Sequence, residues 1–546
     1  MRSIAQNQTA EWTFTSSRSY ADPFNEVELS VRFERAGGAA QLVPAFWAGG
    51  RNWRVRFSSP VAGRHHFRTV CSEPSDPGLH GQEGDCQVVP CAGANPLYRR
   101  GPIRVAADRR HFEHADGAPF FWLGDTWWMG LCRRLSWPDA FQALAADRVS
   151  KGFTVIQIVA GLYPDMPAFD PRGANEAGFP WEKDYARINP AYYEMADRRI
   201  GHLVESGLLP CIVGCWGYFL PWMGVEKMKR HWRNLVARWG SWPVVWCLAG
   251  EGTMPYYLSG DKQADSRFQK QGWTALAAYL RELDPYGRPI TIHPSASARL
   301  SVEDPAVLDF DMLQTGHGDR ASLPDTVRRV SQGYRATPVM PVVEGEVCYE
   351  GIGGFCGPEV QRLMFWACLL NGAAGYTYGA NGVWQVNARG GPYGPSPHGM
   401  SWGSTPWEEA CRLPGAEQLG LARRFLAGHP WWQLEPHPEW VEPHWTDDLW
   451  ELPFTCGRHD LPMAAGVPGK VRIIYLPMGA RLRAVRGIEP GVRYRTRLFN
   501  PVDGTELDMG EVQPDAAGRW APAFPGLPSW FPFPVYQDWV LVLEAR

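Results

Sequence analysis

The sequence predicts an α/β protein, a (β/α)8 barrel flanked by an N-terminal and a C-terminal β-sandwich domain. Eight short apolar runs, separated by amphipathic helical segments, lie between residues 101 and 428. Before and after that stretch, alternating apolar and polar side chains with Pro and Gly turns replace the strand-and-helix pattern. A chain of 546 residues is also long enough for two or three domains. We therefore expect domains at residues 1–100, 101–428 and 429–546.

The first domain, residues 1–100, is predicted to be an immunoglobulin-like β-sandwich. Segments 27–33, 53–57 and 66–70 alternate apolar and polar side chains, and Gly, Pro and Ser turns separate them. This alternation is typical of antiparallel strands that bury one face. Several such strands in about 100 residues indicate a sandwich.

The second domain, residues 101–428, alternates strand and helix eight times, which is the pattern of a (β/α)8 barrel. Amphipathic helices are expected at 138–149, 191–205, 227–238 and 273–283. An open doubly wound sheet is the alternative, but the glycine-rich segment 351–357 lacks the spacing of a phosphate-binding loop. The eight predicted strands are residues 120–123, 154–158, 208–213, 244–248, 289–292, 312–314, 339–343 and 375–378.

The third domain, residues 429–546, returns to a β pattern. Segments 471–476 and 539–543 are apolar and β-branched, and Pro and Gly turns dominate around them. A second sandwich that packs against the barrel is therefore expected.

Charge and hydropathy exclude several classes of partner. Lys plus Arg (54) nearly balances Asp plus Glu (57), so no nucleic-acid partner is expected. An uninterrupted stretch of about 18 apolar residues, which a membrane span requires, does not occur. The N-terminal residues lack the apolar segment of a signal peptide, which predicts a cytoplasmic protein, with a secreted protein whose signal peptide has been removed as the alternative. The oligomeric state stays open.

The cysteines predict buried thiols, with neither disulfides nor a metal site. Twelve are scattered along the chain, several inside apolar runs. Neither a Cys-x-x-Cys pair nor a His-x-His pair occurs, so neither zinc nor any other cofactor is expected.

Two glutamates lie where the fourth and seventh predicted strands end. Glu251 follows the run 244–248 and Glu346 follows the run 339–343. The carboxyl ends of barrel strands converge on one face, so both side chains are expected in one pocket. Glycoside hydrolysis requires such a pair, one carboxyl protonated and the other ionised, about 5–5.5 Å apart for retention. Apolar neighbours of Glu251 favour its protonated form.

Glu344 is the alternative to Glu346 as the ionised carboxylate. The two residues are two positions apart, so their side chains lie on the same side of a strand. We favour Glu346, because it is the one at the mouth if the strand ends at Gly345. Tyr349 and Glu350 follow closely and are candidates for orienting it or binding substrate.

Other polar and aromatic residues at the predicted strand ends are candidate substrate contacts. The chain has 27 Trp, most of which are expected to pack the core, although indole rings also stack on sugars. Asp125 has the alternative role of a helix N-cap. The candidates are Asp125, Trp127, Trp128, Tyr163, Asp165, Trp216, Trp222, His293, Gln314, His317, Tyr349 and Trp384.

Three motifs resemble the apiosidase-like glycoside hydrolases. They are FWLGDTWW at 121–128, LAGEG at 248–252 and EGEVCYEG at 344–351, and the resemblance covers nearly the whole chain. It implies a (β/α)8 barrel between an N-terminal β-sandwich and a C-terminal domain of the kind once described as collagen-binding. It also implies exo-type hydrolysis, with Glu251 as acid/base and Glu346 as nucleophile.

Two differences from this family limit what the resemblance implies. The apiosidases have Gly-Gly-Asp at the fourth strand end, where this chain has Ala249, Gly250 and Glu251. The longer acid reaches about one methylene further, so apiose specificity does not carry over. Many related enzymes place Asn before the acid, and here Gly250 replaces it.

The leading hypothesis is therefore a metal-independent, retaining glycoside hydrolase that releases a terminal sugar of a plant or microbial glycan or glycoside. A non-catalytic carbohydrate-binding protein on the same scaffold is the alternative from a different class. A metal-dependent barrel hydrolase is disfavoured, because the first strand ends without a His-x-His pair.

Overall fold

Eight parallel strands form the centre of the computed structural model, which describes residues 2–35, 37–446, 459–522 and 535–546. Each strand pairs with its neighbour in the chain except the fifth and sixth, which do not pair with each other, and the eighth also pairs with the first. The predicted strands are all present, so the (β/α)8 class is confirmed. The barrel strands are Trp122–Trp127, Val155–Val159, Leu209–Val213, Val245–Cys247, Ile290–Thr291, Asp311–Gly316, Val342–Val347 and Gly375–Tyr378.

The barrel is nearly closed between its fifth and sixth strands. The amide of Asp309 donates to the carbonyl of Ile290 at 2.8 Å, and the hydroxyl of Thr291 donates to the carbonyl of Phe310 at 2.9 Å. These two hydrogen bonds take the place of regular β-sheet pairing between the fifth and sixth strands. Strands such as Val155–Val159 are buried at every position, as expected of strands covered on both faces.

Helices surround the barrel after seven of its eight strands. The fifth connection instead holds two 3-10 turns, Ala298–Ser301 and Pro305–Val307, so the expectation of eight helices is wrong there. Pro294 follows the fifth strand closely and Pro305 begins the second of these turns, and neither residue has an N–H to donate within a helix. The seven helices are Asp139–Ser150, Pro190–Glu205, Phe219–Trp239, Lys262–Leu283, Leu323–Arg335, Pro358–Leu370 and Pro414–Ala427.

The described residues also form a small sheet before the barrel and several short helices. A three-stranded antiparallel sheet of Ile103–Val105, Phe112–His114 and Pro119–Phe120 leads into the first barrel strand. The remaining short helices are Pro23–Glu26, Pro96–Arg99, Pro171–Gly173, Lys183–Tyr185, Asp319–Ser322, Ile352–Gly354, Trp407–Ala410, Trp431–Gln433 and Pro438–Trp440.

The N-terminal domain consists of two sheets that enclose one apolar core. Its alternating strands bury every second side chain, and the rings of Phe33 and Phe57 stack at 4.0 Å in that core. The first sheet contains Arg2–Ala5, Glu83–Val89, Gly63–Cys71, Leu29–Glu34 and Gln41–Pro44. The second sheet contains Ala10–Thr15, Asn52–Phe57 and Phe46–Gly49.

A buried ion-pair network joins this domain to the barrel. Arg56 of the N-terminal domain and Arg238 of the barrel contact one carboxylate oxygen of Asp197 at 2.7 and 2.8 Å. Burial opposes ionisation of Asp197, but the two arginines outweigh it and hold its pKa below the usual range. Because breaking such a network leaves buried charge unpaired, it fixes the domain against the barrel.

The C-terminal domain is an antiparallel sheet whose one face packs on the barrel. Arg362 of helix Pro358–Leu370 forms a buried ion pair with Asp538 at 2.6 Å, and Trp366 stacks on Tyr475 at 6.0 Å. The sheet contains Glu435–Pro436, Met463–Val467, Val471–Leu476, Trp539–Ala545, Tyr494–Phe499 and Glu506–Glu511, and a separate ribbon pairs Val441–Glu442 with Ala484–Val485. The domain limits at residues 100/101 and 428/429 stay predictions.

In the four described ranges, no helix is long and apolar enough to cross a membrane.

Another buried ion pair joins the first barrel strand to the helix that follows it. Asp125 lies 2.6 Å from Nε of Arg148, and neither side chain is exposed. The indole N–H of Trp127 donates to the same Asp125 oxygen at 2.7 Å. Asp125 and Trp127 are two positions apart, so both face the helix layer.

We predict that Asp125→Ala lowers the free energy of unfolding by about 3 kcal/mol, because it leaves the buried charge of Arg148 with the partly buried carboxylate of Asp147 as its remaining counter-ion. Thermal unfolding measures the effect. Asp116→Ala, which removes an exposed pair with Arg100, is the control and should change the melting temperature little. Equal shifts in the two variants would contradict this role.

Candidate active site

A pocket with a cavity volume of about 220 Å³ lies at the carboxyl ends of the barrel strands. It is at the barrel face where the chemistry of this fold is found. Nine of the residues predicted from the sequence line it: Trp128, Asp165, Trp216, Glu251, Gln314, His317, Glu346, Tyr349 and Trp384.

Glu346, on the seventh barrel strand, lies between two histidines. Nε2 of His317 is 2.9 Å from one carboxylate oxygen, and Nε2 of His293 is 3.3 Å from the other, close enough for an ion pair but not aligned as a hydrogen bond. Burial alone would raise the pKa of Glu346, but the two imidazoles outweigh burial and hold it well below its usual range. This carboxylate is therefore ionised at neutral pH.

Glu251, which follows the fourth strand, has a pKa shifted in the opposite direction. Burial and the negative charge of Glu346 raise the pKa of Glu251 to about 7, although Gln314 donates to its carboxylate at 3.1 Å. Its backbone has a φ of 42°, a left-handed conformation that costs a non-glycine residue about 1–2 kcal/mol. Strain of this kind is concentrated at functional sites, where the surrounding structure imposes it.

Glu344 lies below Glu346 inside the barrel. It is fully buried, accepts hydrogen bonds from the Thr315 hydroxyl and from the amide of Glu346, and is not among the residues that line the pocket. Burial raises its pKa well above the usual range, so it is neutral. Glu350 is also buried, and it accepts a hydrogen bond from Tyr378 outside the pocket.

Tyr349 and Trp128 lie beside the two carboxyl groups. The indole N–H of Trp128 donates to the Tyr349 hydroxyl at 3.0 Å. Burial and the Glu346 carboxylate raise the pKa of Tyr349 well above its usual value. Tyr349 therefore keeps its proton and has it available for a hydrogen bond.

Trp216 fills the space beside the residue that precedes Glu251. A Cβ atom on Gly250 would lie 2.1 Å from the Trp216 ring, so no larger residue fits there without displacing the indole. This contact explains why Gly250 replaces the Asn expected from related enzymes. Trp216 and Trp384 line the pocket, and their buried indole N–H groups have no hydrogen-bond acceptor among the described residues.

Asp165 lies at another wall of the pocket, on a loop after the second strand. One of its carboxylate oxygens accepts hydrogen bonds from Tyr257 and from Ser396, the latter at 3.0 Å. The Tyr257 ring contacts the ring of His398 at 4.6 Å. Three long loops thus meet around this carboxylate.

The sequence reasoning missed six residues that line the pocket. All of them lie in loops that follow strand ends, and the only available signal was their position after the second, fourth, seventh and eighth strands. They are Pro164, Met254, Tyr257, Ile352, His398 and Trp402.

Three predicted substrate contacts require correction, because they do not line the pocket. Asp125 and Trp127 face the first helix, and the Trp127 ring packs edge-on against Phe141 at 5.5 Å. The Tyr163 hydroxyl bonds to the Tyr192 hydroxyl at 2.6 Å, on a helix outside the barrel.

Two further candidates also lie outside the pocket lining. His293 is fully buried behind Glu346, so it acts on the carboxylate and does not reach the cavity. Trp222 packs against Tyr218 and Tyr256. In the described part of the chain, no group of three or more His, Cys, Asp or Glu side chains is arranged to hold a metal ion.

Fold and family together define the chain as a glycoside hydrolase on a (β/α)8 barrel. Residues 106–433, more than half of its length, match the family described as apiosidase-like, catalytic domain. The chain belongs to that family. Residues 3–72 match a domain of unknown function, DUF5060. This family favours an enzyme over the alternative of a non-catalytic carbohydrate-binding protein.

Solved structures share the fold. A structure titled glycoside hydrolase is 21% identical, with a TM-score of 0.65 over 82% of this chain and 98% of the other. A glycoside hydrolase family 5 structure from Bacteroides vulgatus ATCC 8482 is 20% identical, with a TM-score of 0.65 over 82% and 94%. A further structure from that bacterium is 18% identical, with a TM-score of 0.67 over 100% of both chains. No curated protein matches the sequence.

The opposite pKa shifts predict a bell-shaped pH dependence of kcat/KM. If Glu251 is the general acid, kcat/KM should fall about tenfold per unit as the pH rises above about 7, because the pKa of Glu251 lies there. The acid limb should lie well below the usual pKa of glutamate, because Glu346 must be ionised. Initial rates from pH 3 to 9 measure the alkaline limb, and an acid limb near pH 4.5 would contradict the lowered pKa of Glu346.

A control for the pH dependence is Glu346→Gln, which removes the repelling charge. The pKa of Glu251 should then fall, as ¹³C NMR titration of its carboxyl carbon would show. An unchanged pKa would contradict coupling between the two groups.

We predict that Gly250→Ala lowers kcat/KM by on the order of 100-fold, because the added methyl group displaces Trp216 and with it the wall beside Glu251. Gly260→Ala is the matched control, since a Cβ atom there meets open space in the same connection. Steady-state kinetics with one glycoside measures both variants. Similar losses in the two would refute a specific role for the contact.

Proposed function

We propose that the protein is a retaining, exo-acting glycoside hydrolase that releases a terminal sugar from a plant or microbial glycan or glycoside. The observation that carries the proposal is the pair of glutamates in one pocket whose pKa values are shifted in opposite directions. A retaining mechanism needs this pair, one group as acid and one as nucleophile.

In the first step, Glu251 gives its proton to the glycosidic oxygen while the Glu346 carboxylate attacks the anomeric carbon. The bond to the leaving group breaks, and a covalent glycosyl ester forms on Glu346. In the second step, Glu251, now ionised, takes a proton from water, whose oxygen attacks the same carbon and frees Glu346. His293 and His317 stabilise Glu346 as the carboxylate that attacks and later leaves.

Cavity size supports exo action. A volume of about 220 Å³ lies below the range of about 300–1,000 Å³ that suits drug-sized ligands, and it matches a single sugar ring better than a chain. Trp216 and Trp384 line this cavity, so their rings are candidates for contact with that sugar. Apiose is one candidate, from the family, but the site around Glu251 does not single it out.

A panel of aryl glycosides (pentofuranosides, rhamnosides, galactosides, arabinosides and glucosides) tests the proposal. One of them should be cleaved, and Glu251→Gln and Glu346→Gln should each lower kcat by about 10²–10⁴-fold. Glu344→Gln is the matched control: Glu344 is neutral, so the amide replaces it closely and activity should persist.

Azide separates the two roles. With Glu251→Ala, azide should restore turnover and yield a glycosyl azide of retained configuration, because Glu346 still forms the ester. With Glu346→Ala, the azide attacks directly, and the product should have the opposite configuration. Exchanged products would reverse the roles. Loss of activity in Glu344→Gln but not in Glu346→Gln would identify Glu344 as the nucleophile.

A further inference from the structure

Of the three acidic residues that line the pocket, Asp165 is the one without a role in the proposed mechanism. It lies in the connection between the second strand and its helix, and the residue is 7% exposed. Its backbone has a φ of 55°, a left-handed conformation that Asp and Asn adopt more readily than other residues with a side chain. Because a buried carboxylate costs free energy without partners, its surroundings show what it can bind.

Two hydroxyl groups hold one oxygen of the Asp165 carboxylate. Oδ1 accepts hydrogen bonds from Tyr257 at 2.5 Å and from Ser396 at 3.0 Å. These donors belong to the loops after the fourth and eighth strands, so three loops together fix the orientation of the carboxylate. Among the described residues, no group donates a hydrogen bond to Oδ2. Half of the carboxylate is therefore held by the protein, and the other half retains its capacity as an acceptor.

The protein also provides no cation for this charge. The described residues that line the pocket include no lysine or arginine. Arg172, in the same connection as Asp165, pairs instead with Asp170 at 2.8 Å. It also donates to the carbonyls of Tyr393 and Pro395, both at 3.2 Å. The charge of Arg172 is thus engaged away from the pocket.

Asp165 lies close enough to Glu251 to influence it. Burial and the charge of Glu346 are the main causes of the raised pKa of Glu251, and the charge of Asp165 adds to them. Neither histidine of the lining compensates this charge: His317 faces Glu346 at 2.9 Å, and Nδ1 of His398 accepts a backbone amide at 3.3 Å. This part of the pocket is therefore negative, which favours uncharged ligands over anions.

We propose that Asp165 determines specificity: its free oxygen accepts a hydrogen bond from a hydroxyl group of the released sugar, and its charge excludes anionic sugars such as uronic acids. This inference rests on the proposed function, because it concerns the sugar whose bond Glu251 and Glu346 break. The cavity holds about one sugar ring, and all three carboxyl groups line it, so that sugar is within reach of Asp165. A hydroxyl is the donor that a half-occupied carboxylate requires, and hydrogen bonds to charged acceptors are the stronger kind. A carboxylate on the sugar would be repelled and would meet no lysine or arginine in the lining.

Sugars that lack single hydroxyl groups test the hydrogen bond. The probes are the aryl glycoside of the panel that the wild-type enzyme cleaves and its monodeoxy analogues. Each substrate is compared between variant and wild type, so its intrinsic reactivity cancels. Rates are measured at about pH 5.5, because Glu251, with a pKa of about 7, is protonated there in both enzymes.

Asp165→Asn should lower kcat/KM for the complete glycoside about 10–100-fold, because an amide N–H group replaces the charged acceptor. The amide oxygen still accepts from Tyr257 and Ser396, and Asn adopts the left-handed backbone, so the loop is retained. For one monodeoxy analogue, variant and wild type should agree within about threefold, since the hydroxyl that Asp165 binds is missing from it.

Asp184→Asn is the matched control. Asp184 is exposed in the same connection and has a φ of 59°, so the same change is made on the same kind of backbone away from the pocket. It should alter kcat/KM for each substrate by less than about 1.5-fold. Aryl glucuronides and galacturonides test the effect of the charge, and the wild-type enzyme should hydrolyse none of them as well as its neutral substrate.

Three outcomes would overturn the proposal once the wild-type enzyme hydrolyses any glycoside. In the first, Asp165→Asn retains the wild-type rate with the complete glycoside. In the second, it slows this glycoside and every deoxy analogue by the same factor, which would give Asp165 a structural role. In the third, a uronide is the best substrate. If the wild-type enzyme hydrolyses no glycoside, the proposed function itself fails and this inference fails with it.

Discussion

The electrostatic coupling between Glu251 and Glu346 is the interaction on which the site depends. Two imidazoles keep Glu346 negative, and that charge, together with burial, keeps the proton on Glu251 near neutral pH. The pKa of each glutamate therefore depends on the charged groups around it. A change at His293 or His317 would therefore alter the acid as well as the nucleophile, because Glu251 responds to the charge of Glu346.

The two flanking domains contact the outer surface of the barrel, away from Glu251 and Glu346. Asp197, on helix Pro190–Glu205, forms an ion pair with Arg56 of the N-terminal domain. Tyr192 of the same helix forms a hydrogen bond with Tyr163, which lies in the loop that carries Asp165. Continuous contacts thus extend from the N-terminal sheet to one wall of the pocket. They hold the loop in place, which matters because positioning within about 1 Å decides rates. On the other side, the ion pair of Arg362 holds the C-terminal sheet on a barrel helix.

Much of the fold follows from local pattern, and less of the site does. The barrel strands were predictable because each is a short apolar run. Glu251 and Glu346 were predictable as site residues because burying a carboxyl group at the end of such a run costs free energy, which a function would explain. Asp125 and Trp127 were misplaced because strand alternation gives two faces, and sequence alone does not tell which one meets the helices. Tyr257 and His398 meet only through tertiary contacts between loops.

Burial alone does not decide which carboxyl group is ionised, as Glu344 and Glu346 show. They are two positions apart on one strand and both are buried, yet their pKa values shift in opposite directions. Glu344 has a hydroxyl and an amide as donors, and these do not offset the cost of a buried charge. Glu346 has two imidazoles. If Glu344 were charged, it would oppose the ionisation of Glu346. The neutral state of Glu344 is therefore a condition for the negative charge of Glu346.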